Sequence, residues 1–223
     1  MSSNGNCTLP CWWGFELGET SIDEIRQFYM AFDTFISEQV SRSGISVLTA
    51  KFEDSQIENG IQVRHTFIAQ DNVVIEAEIE VNIHPDYQIK PILQQLGQPS
   101  EVWMWTIPEP REGVLPASFP LYFPARGVLV SYAVFAERVD DIVQACFDER
   151  GSTILLLWEP TIWDIDKNTG FVERANESSN FTLQGERPID EVSNWDAEQL
   201  YAILTDPTRS ECLETPSNLW AAP

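Results

Sequence analysis

"VVIEAEIEVNI" (residues 73–83) is the run that decides the fold. Ile75, Ala77, Ile79, Val81 and Ile83 alternate with Glu76, Glu78, Glu80 and Asn82. One apolar face and one charged face at a period of two is the pattern of a half-buried antiparallel strand. The preceding run places Ile61, Val63, His65, Phe67 and Ala69 on one face and Gln62, Arg64 and Thr66 on the other. The register that joins the two apolar faces sets Val63 opposite Val81, His65 opposite Ile79 and Arg64 opposite Glu80. It predicts a hairpin loop of odd length around Asp71-Asn72, because a slip of one residue would exchange the faces of the whole strand. Arg64 and Glu80 then form a cross-strand charge pair. Glu76, Glu78 and Glu80 are expected as a solvent-facing row, a candidate surface for a basic partner. His65 falls on the apolar side and reads as a core histidine, while His84 precedes Pro85 in a connecting loop.

Upstream, Ser21-Ile-Asp-Glu24 is a capping box, with hydroxyl and carboxylate each placed to satisfy the other's main-chain amide. Behind it Ile25, Phe28, Tyr29, Phe32, Phe35, Ile36 and Val40 recur at three- and four-residue intervals. That spacing predicts an amphipathic helix of about five turns, closed by Ser43-Gly44. Downstream, Tyr87, Ile89, Ile92, Leu93 and Leu96 mark a shorter helix stopped by Gly97 and Pro99, with Pro91 in its first turn. Strands are expected around residues 101–106, 119–123, 127–135 and 152–158, with the Pro-rich loop "PEPREGVLPAS" between the first two. After Pro160 the chain turns polar, with one helix candidate from Trp195 to Leu204.

Thirteen basic residues against 35 acidic ones give a formal charge of -22. That balance disfavours nucleic acid and anionic membrane surfaces, since neutralising phosphate takes Lys and Arg. It suits a basic protein partner, cation binding or plain solubility. No apolar run reaches the ~18 residues of a membrane span, and "MSSNGN" lacks the regions of a signal peptide. Cys7, Cys11, Cys146 and Cys212 form an even set that reads as disulfides in an oxidising compartment. The four allow three connectivities, and their spacing is not that of a zinc site. The expected location is extracellular or the cell envelope, with the cytoplasm second.

Signatures of chemistry are sparse. HExxH, G-x-S-x-G, P-loop and GxGxxG are all missing from the sequence. "DIDKNTG" places Asp164, Asp166 and Asn168 at alternate positions, as calcium loops do. Its glycine comes one residue late and Ala175 stands where the bidentate glutamate belongs, so a plain hairpin turn explains the same residues. No other cofactor is suggested. Asn6, Asn176 and Asn180 each open a glycosylation acceptor triplet.

"CTLPCWWGFELGETSIDEI" (residues 7–25) resembles a segment of uncharacterised secreted or lipid-anchored bacterial proteins that carry C-x-LPCWWG, a turn and a helix. "YQIKPILQQLGQPSEVWM" (residues 87–104) resembles their Y-x-I-x-x-I-L-x-x-L-G-x-P-x-x-V segment. A helix, LG-x-P-x-x-V and antiparallel strands in succession are also similar to small outer-membrane-assembly lipoproteins of the SmpA/OmlA type and to tandem units like those of β-lactamase inhibitors. The resemblance implies binding domains without catalysis. In this context a disulfide and Pro10 hold an irregular entry segment, and Trp12 and Trp13 plug the open end of the core. A tryptophan platform for a partner is the alternative reading of the same pair.

Together these readings predict an α+β protein of two tandem helix-plus-antiparallel-strand units, residues 1–84 and 85–160, forming one sheet. Residues 161–223 would be a mostly irregular extension packed on that core. The expected function is a non-catalytic protein-interaction or structural module. An inhibitor of a secreted hydrolase and a carbohydrate-active enzyme are the alternatives.

Overall fold

Period-two order extends far beyond residues 61–83. The computed structural model describes residues 7–32, 34–42, 44–54, 61–81, 87–107, 113–147, 151–160, 185–209 and 211–220. It is built on one antiparallel sheet of eleven strands. These are β1 (Phe35–Val40), β2 (Ile45–Asp54), β3 (Ile61–Gln70), β4 (Val73–Val81), β5 (Glu101–Thr106), β6 (Gly113–Phe123), β7 (Val128–Val139), β8 (Ile142–Ala145), β9 (Ser152–Trp158), β10 (Arg187–Pro188) and β11 (Leu213–Pro216). Four short α-helices accompany them among the described residues: α1 (Ile22–Met30), α2 (Ile89–Leu96), α3 (Ile189–Val192) and α4 (Ala197–Thr205). The spatial order is β1-β2-β3-β4-β9-β7-β6-β5-β10, with β8 beside β7 and β11 beside β8.

This overturns the expectation of two tandem helix-plus-strand units. The sheet runs unbroken through its centre, where β9 pairs with β4 on one side and β7 on the other. The helices are minor and the strands dominate. Nor is the C-terminal part mostly irregular where it is described. β10 pairs with β5, β11 pairs with β8, and α4 packs on α2. Elements of two and four residues are too short to show a period, so the sequence carries no signal for them.

The long first helix is also corrected. The capping box at Ser21 and Glu24 forms as predicted, but α1 ends at Met30 and residues 35–40 are strand β1. Ile25 and Tyr29 are buried, whereas Phe32, Phe35 and Val40 are exposed. A stripe at i+3 and i+4 also satisfies much of a period of two, and the β-branched and aromatic residues Thr34, Phe35 and Ile36 favour the strand.

The β3–β4 register is the predicted one: Val63 faces Val81, His65 faces Ile79 and Arg64 faces Glu80. The loop is not of odd length. Asp71 and Asn72, both at positive φ, make a two-residue turn between Gln70 and Val73. A bulge supplies the missing residue, for Ile68 faces Glu76 while Ala69 faces Val74, leaving Ile75 without a partner on β3. Val74, not Ile75, therefore reaches the core at this end. A tight turn of this type matches the twist of the strands, and the bulge restores the parity.

One core lies between the sheet and the helices. Ile25 and Tyr29 of α1 and Ile89, Ile92, Leu93 and Leu96 of α2 join a single cluster with Leu48, Phe67, Ile79, Leu121, Val130 and Leu155 of the sheet. Each such side chain contributes roughly 1.5–3 kcal/mol by burial. Gly127 turns the chain from β6 to β7 at positive φ, and a Cβ there would lie 1.9 Å from the Trp158 carbonyl oxygen. "GVLPAS", read as loop, belongs to β6.

Two disulfides complete the frame, Cys7–Cys11 and Cys146–Cys212, at sequence separations of 4 and 66. Chain-entropy reasoning assigns about 2 kcal/mol to the short loop and about 4 kcal/mol to the long one. Replacing Cys146 and Cys212 by Ser should therefore lower the unfolding free energy about twice as much as replacing Cys7 and Cys11, as measured by urea denaturation.

Candidate interaction surface

The entry segment folds back on the start of β4. Trp12 and Phe15 exchange main-chain hydrogen bonds (3.0 and 2.9 Å) around Trp13 and Gly14, both at positive φ. Gly18 N–H donates to the Val74 carbonyl, Val74 N–H donates to Thr20, and Ile22 N–H donates to Asn72. These bonds satisfy β4 where β9 does not reach it, since β9 pairs only from Glu76 onward.

Both tryptophans offered as a partner platform are turned inward. Trp12 is 1% exposed and Trp13 packs against the core. Their rings stack at 6.1 Å and meet the His65 ring edge to face, at 5.4 and 4.9 Å. Phe52, Phe67 and Tyr29 close the cage around the imidazole. Tyr29 Oη lies 2.6 Å from His65 Nδ1, while the buried Nε2 has no hydrogen-bond partner among the described residues. With Tyr29 donating, Nε2 carries the proton and points among aromatic rings. Burial holds the histidine neutral, with its pKa lowered to about 3, and pushes the tyrosine hydroxyl up. Both tryptophan rings thus pack against the core over His65.

The face of the sheet away from the helices carries the polar features. Glu76, Glu78 and Glu80 do lie there, but the solvent-facing row is not found. Glu76 is 4% exposed and Glu78 7%, and only Glu80 stays partly open. β4 is an interior strand, so the large side chains of Ile154, Leu156 and Trp158 on β9 stand beside the three carboxylates. Alternation within one strand could not reveal that neighbour. Arg64 serves two of the three, reaching Glu80 at 2.7 Å and Glu78 at 3.4 Å.

Beside them lies a cleft of about 440 Å³ lined by Ser37, Val47, Thr49, Lys51, Arg64, Thr66, Glu78 and Ile154. Thr49 and Thr66 face each other across β2 and β3 with hydroxyls 3.3 Å apart, and Lys51 and Arg64 are the next facing pair. Both charges and hydroxyls line it, the equipment of a polar binding cleft. Sequence reading had paired Arg64 with Glu80 alone; Glu78 and the other lining residues join Arg64 through strand order. No group of three or more His, Cys, Asp or Glu among the described residues could hold a metal ion. Asp164, Asp166 and Asn168 lie outside the described residues, as do His84, Asn6, Asn176 and Asn180. No helix among the described residues is long and apolar enough to cross a membrane.

The edge of the sheet next to this cleft exposes large apolar side chains as well as Ser37, Glu38 and Gln39. Met30, Phe32, Phe35, Val40 and Ile45 are all exposed at the end of α1 and along β1 and β2. A second exposed set, Val114, Phe135, Val139 and Ile142, lies on β6, β7 and β8.

His65 gives this region a pH signature. Its folded pKa (about 3) is below its ordinary 6.5, so its contribution is fully present above pH 6.5 and is lost as pH falls toward 3. The slope is about 1.4 kcal/mol per pH unit. In urea titrations between pH 6 and 4, the wild type should lose this much per unit relative to His65→Phe; a constant difference between the two would contradict a neutral caged imidazole. No protein-family model, no curated protein and no solved structure matches the chain.

Proposed function

We propose that the chain is a non-catalytic binding module of the cell exterior or envelope that recognises a protein partner. The observation that carries this reading is the exposure of five large apolar side chains, Met30, Phe32, Phe35, Val40 and Ile45, at the end of α1 and along β1 and β2. A chain with a charge of -22 has ample means to cover itself in polar groups, yet these five remain in water. Large apolar side chains left exposed near one sheet edge suit a protein contact. The two disulfides support a location in an oxidising compartment. The caged histidine supports the non-catalytic reading, since it is fully buried and its one hydrogen bond among the described residues is to Tyr29. The acidic surface favours a basic partner, whose approach it would accelerate.

Affinity capture from the envelope and secreted fractions of the source organism tests the proposal. The wild-type chain should enrich a partner that a Met30→Asp/Phe32→Asp/Phe35→Asp variant does not, and the tagged partner should recover the wild-type chain in return. Raising the salt concentration should slow association. Failure of the wild type to enrich any partner beyond the triple variant would remove the reading.

A further inference from the structure

Strand β1 is the long free edge of the sheet, pairing only with β2 among the described residues. Ser41 N–H donates to the Ile45 carbonyl (2.8 Å), and this bond sets the direction of every main-chain group along the strand. Alternate residues of an antiparallel ladder face the same way, so Ser37 and Gln39 bond to β2. Ile36, Glu38 and Val40 turn their N–H and C=O groups outward.

Proteins usually blunt such an edge with Pro, Lys, a bulge or a very short strand. β10, at the other end of the sheet, follows that practice: it has two residues and one is Pro188. β1 (FISEQV) has six residues, no Pro, no Lys and an uninterrupted register with β2. Its charge is already answered, because Arg26 of α1 holds Glu38 through Nε and Nη2 at 2.9 and 2.6 Å. Phe35 and Val40 stand exposed at its two ends.

We propose that β1 accepts an added β-strand from a basic partner, an extended segment with Lys or Arg alternating with apolar residues. The proposal rests on the protein-binding reading above and names its mode. Main-chain bonds to Ile36, Glu38 and Val40 provide the affinity, and side chains against Phe35 and Val40 the specificity. A second copy of the chain is the wrong occupant. Each copy carries a charge of -22, which opposes self-pairing and favours an incoming strand that brings Lys or Arg.

The probe is a labelled eight-residue peptide of alternating Val and Lys, titrated with the full chain by fluorescence anisotropy. Two controls replace Lys by Glu or N-methylate alternate amides. Val40→Pro removes one outward N–H while sparing the bonds to β2, and its thermal melt shows whether the fold is kept; Val40→Lys changes only charge and side chain if it is not. Saturable binding of the Val-Lys peptide is expected, at least tenfold weaker for both variants, for the N-methylated peptide and for the Glu peptide. Equal binding by wild type and variants, or indifference to N-methylation, overturns strand addition at β1. A concentration-dependent dimer of the wild type that Val40→Pro abolishes overturns the choice of a foreign strand. A partner captured equally by wild type and Val40→Pro refutes this site while leaving the protein-binding reading in place.

Discussion

The pairing of β4 on both of its sides is the constraint on which the rest depends. β3 sets its register from one side and β9 from the other, so the strand cannot slip without breaking two ladders. Ala77, Ile79 and Val81 are thereby committed to the helix side, and Glu76, Glu78 and Glu80 to the opposite face. The bulge at Ile75 reconciles that register with the tight Asp71-Asn72 turn. It also leaves the first residues of β4 unclaimed by β9, and the entry segment takes them with Gly18 and Thr20. A local two-residue turn thus decides where the N-terminal segment docks.

That docking explains the aromatic entry sequence. Held against β4, residues 12–15 turn tightly and deliver Trp12 and Trp13 over His65, closing the end of the core beside α1. A histidine is tolerated there because Tyr29 answers one nitrogen and ring faces surround the other. Burial disfavours the charged form of the imidazole. The cost is a dependence of stability on pH, confined to the acid side of neutrality.

The two faces of the sheet then differ in kind. One is covered by helices and is dry. The other carries buried carboxylates at its centre beside the buried Leu156 and Trp158 of β9, and a polar cleft toward β1 and β2. Several charges of this second side and of the free edge are answered by one another. Arg64 is engaged by Glu78 and Glu80, and Glu38 by Arg26. Lys51, exposed at the cleft, has no such ion pair among the described residues.

Local features were legible in the sequence to the extent that their causes are local. The alternation of residues 61–69 and 75–81 determined two strands and their register. Ser21 and Glu24 determined where α1 begins, and Gly97 where α2 ends. The cysteine set determined an oxidised protein without choosing its pairs. Tertiary structure decided the remainder. Whether Phe35, Ile36 and Val40 lie on a helix or a strand depends on whether β2 is there to pair with them. The exposure of Glu76 and Glu78 depends on β9, which is more than 70 residues away in the chain. Strand order is a choice among long-range pairings of nearly equal local quality, and no single segment contains the information to make it.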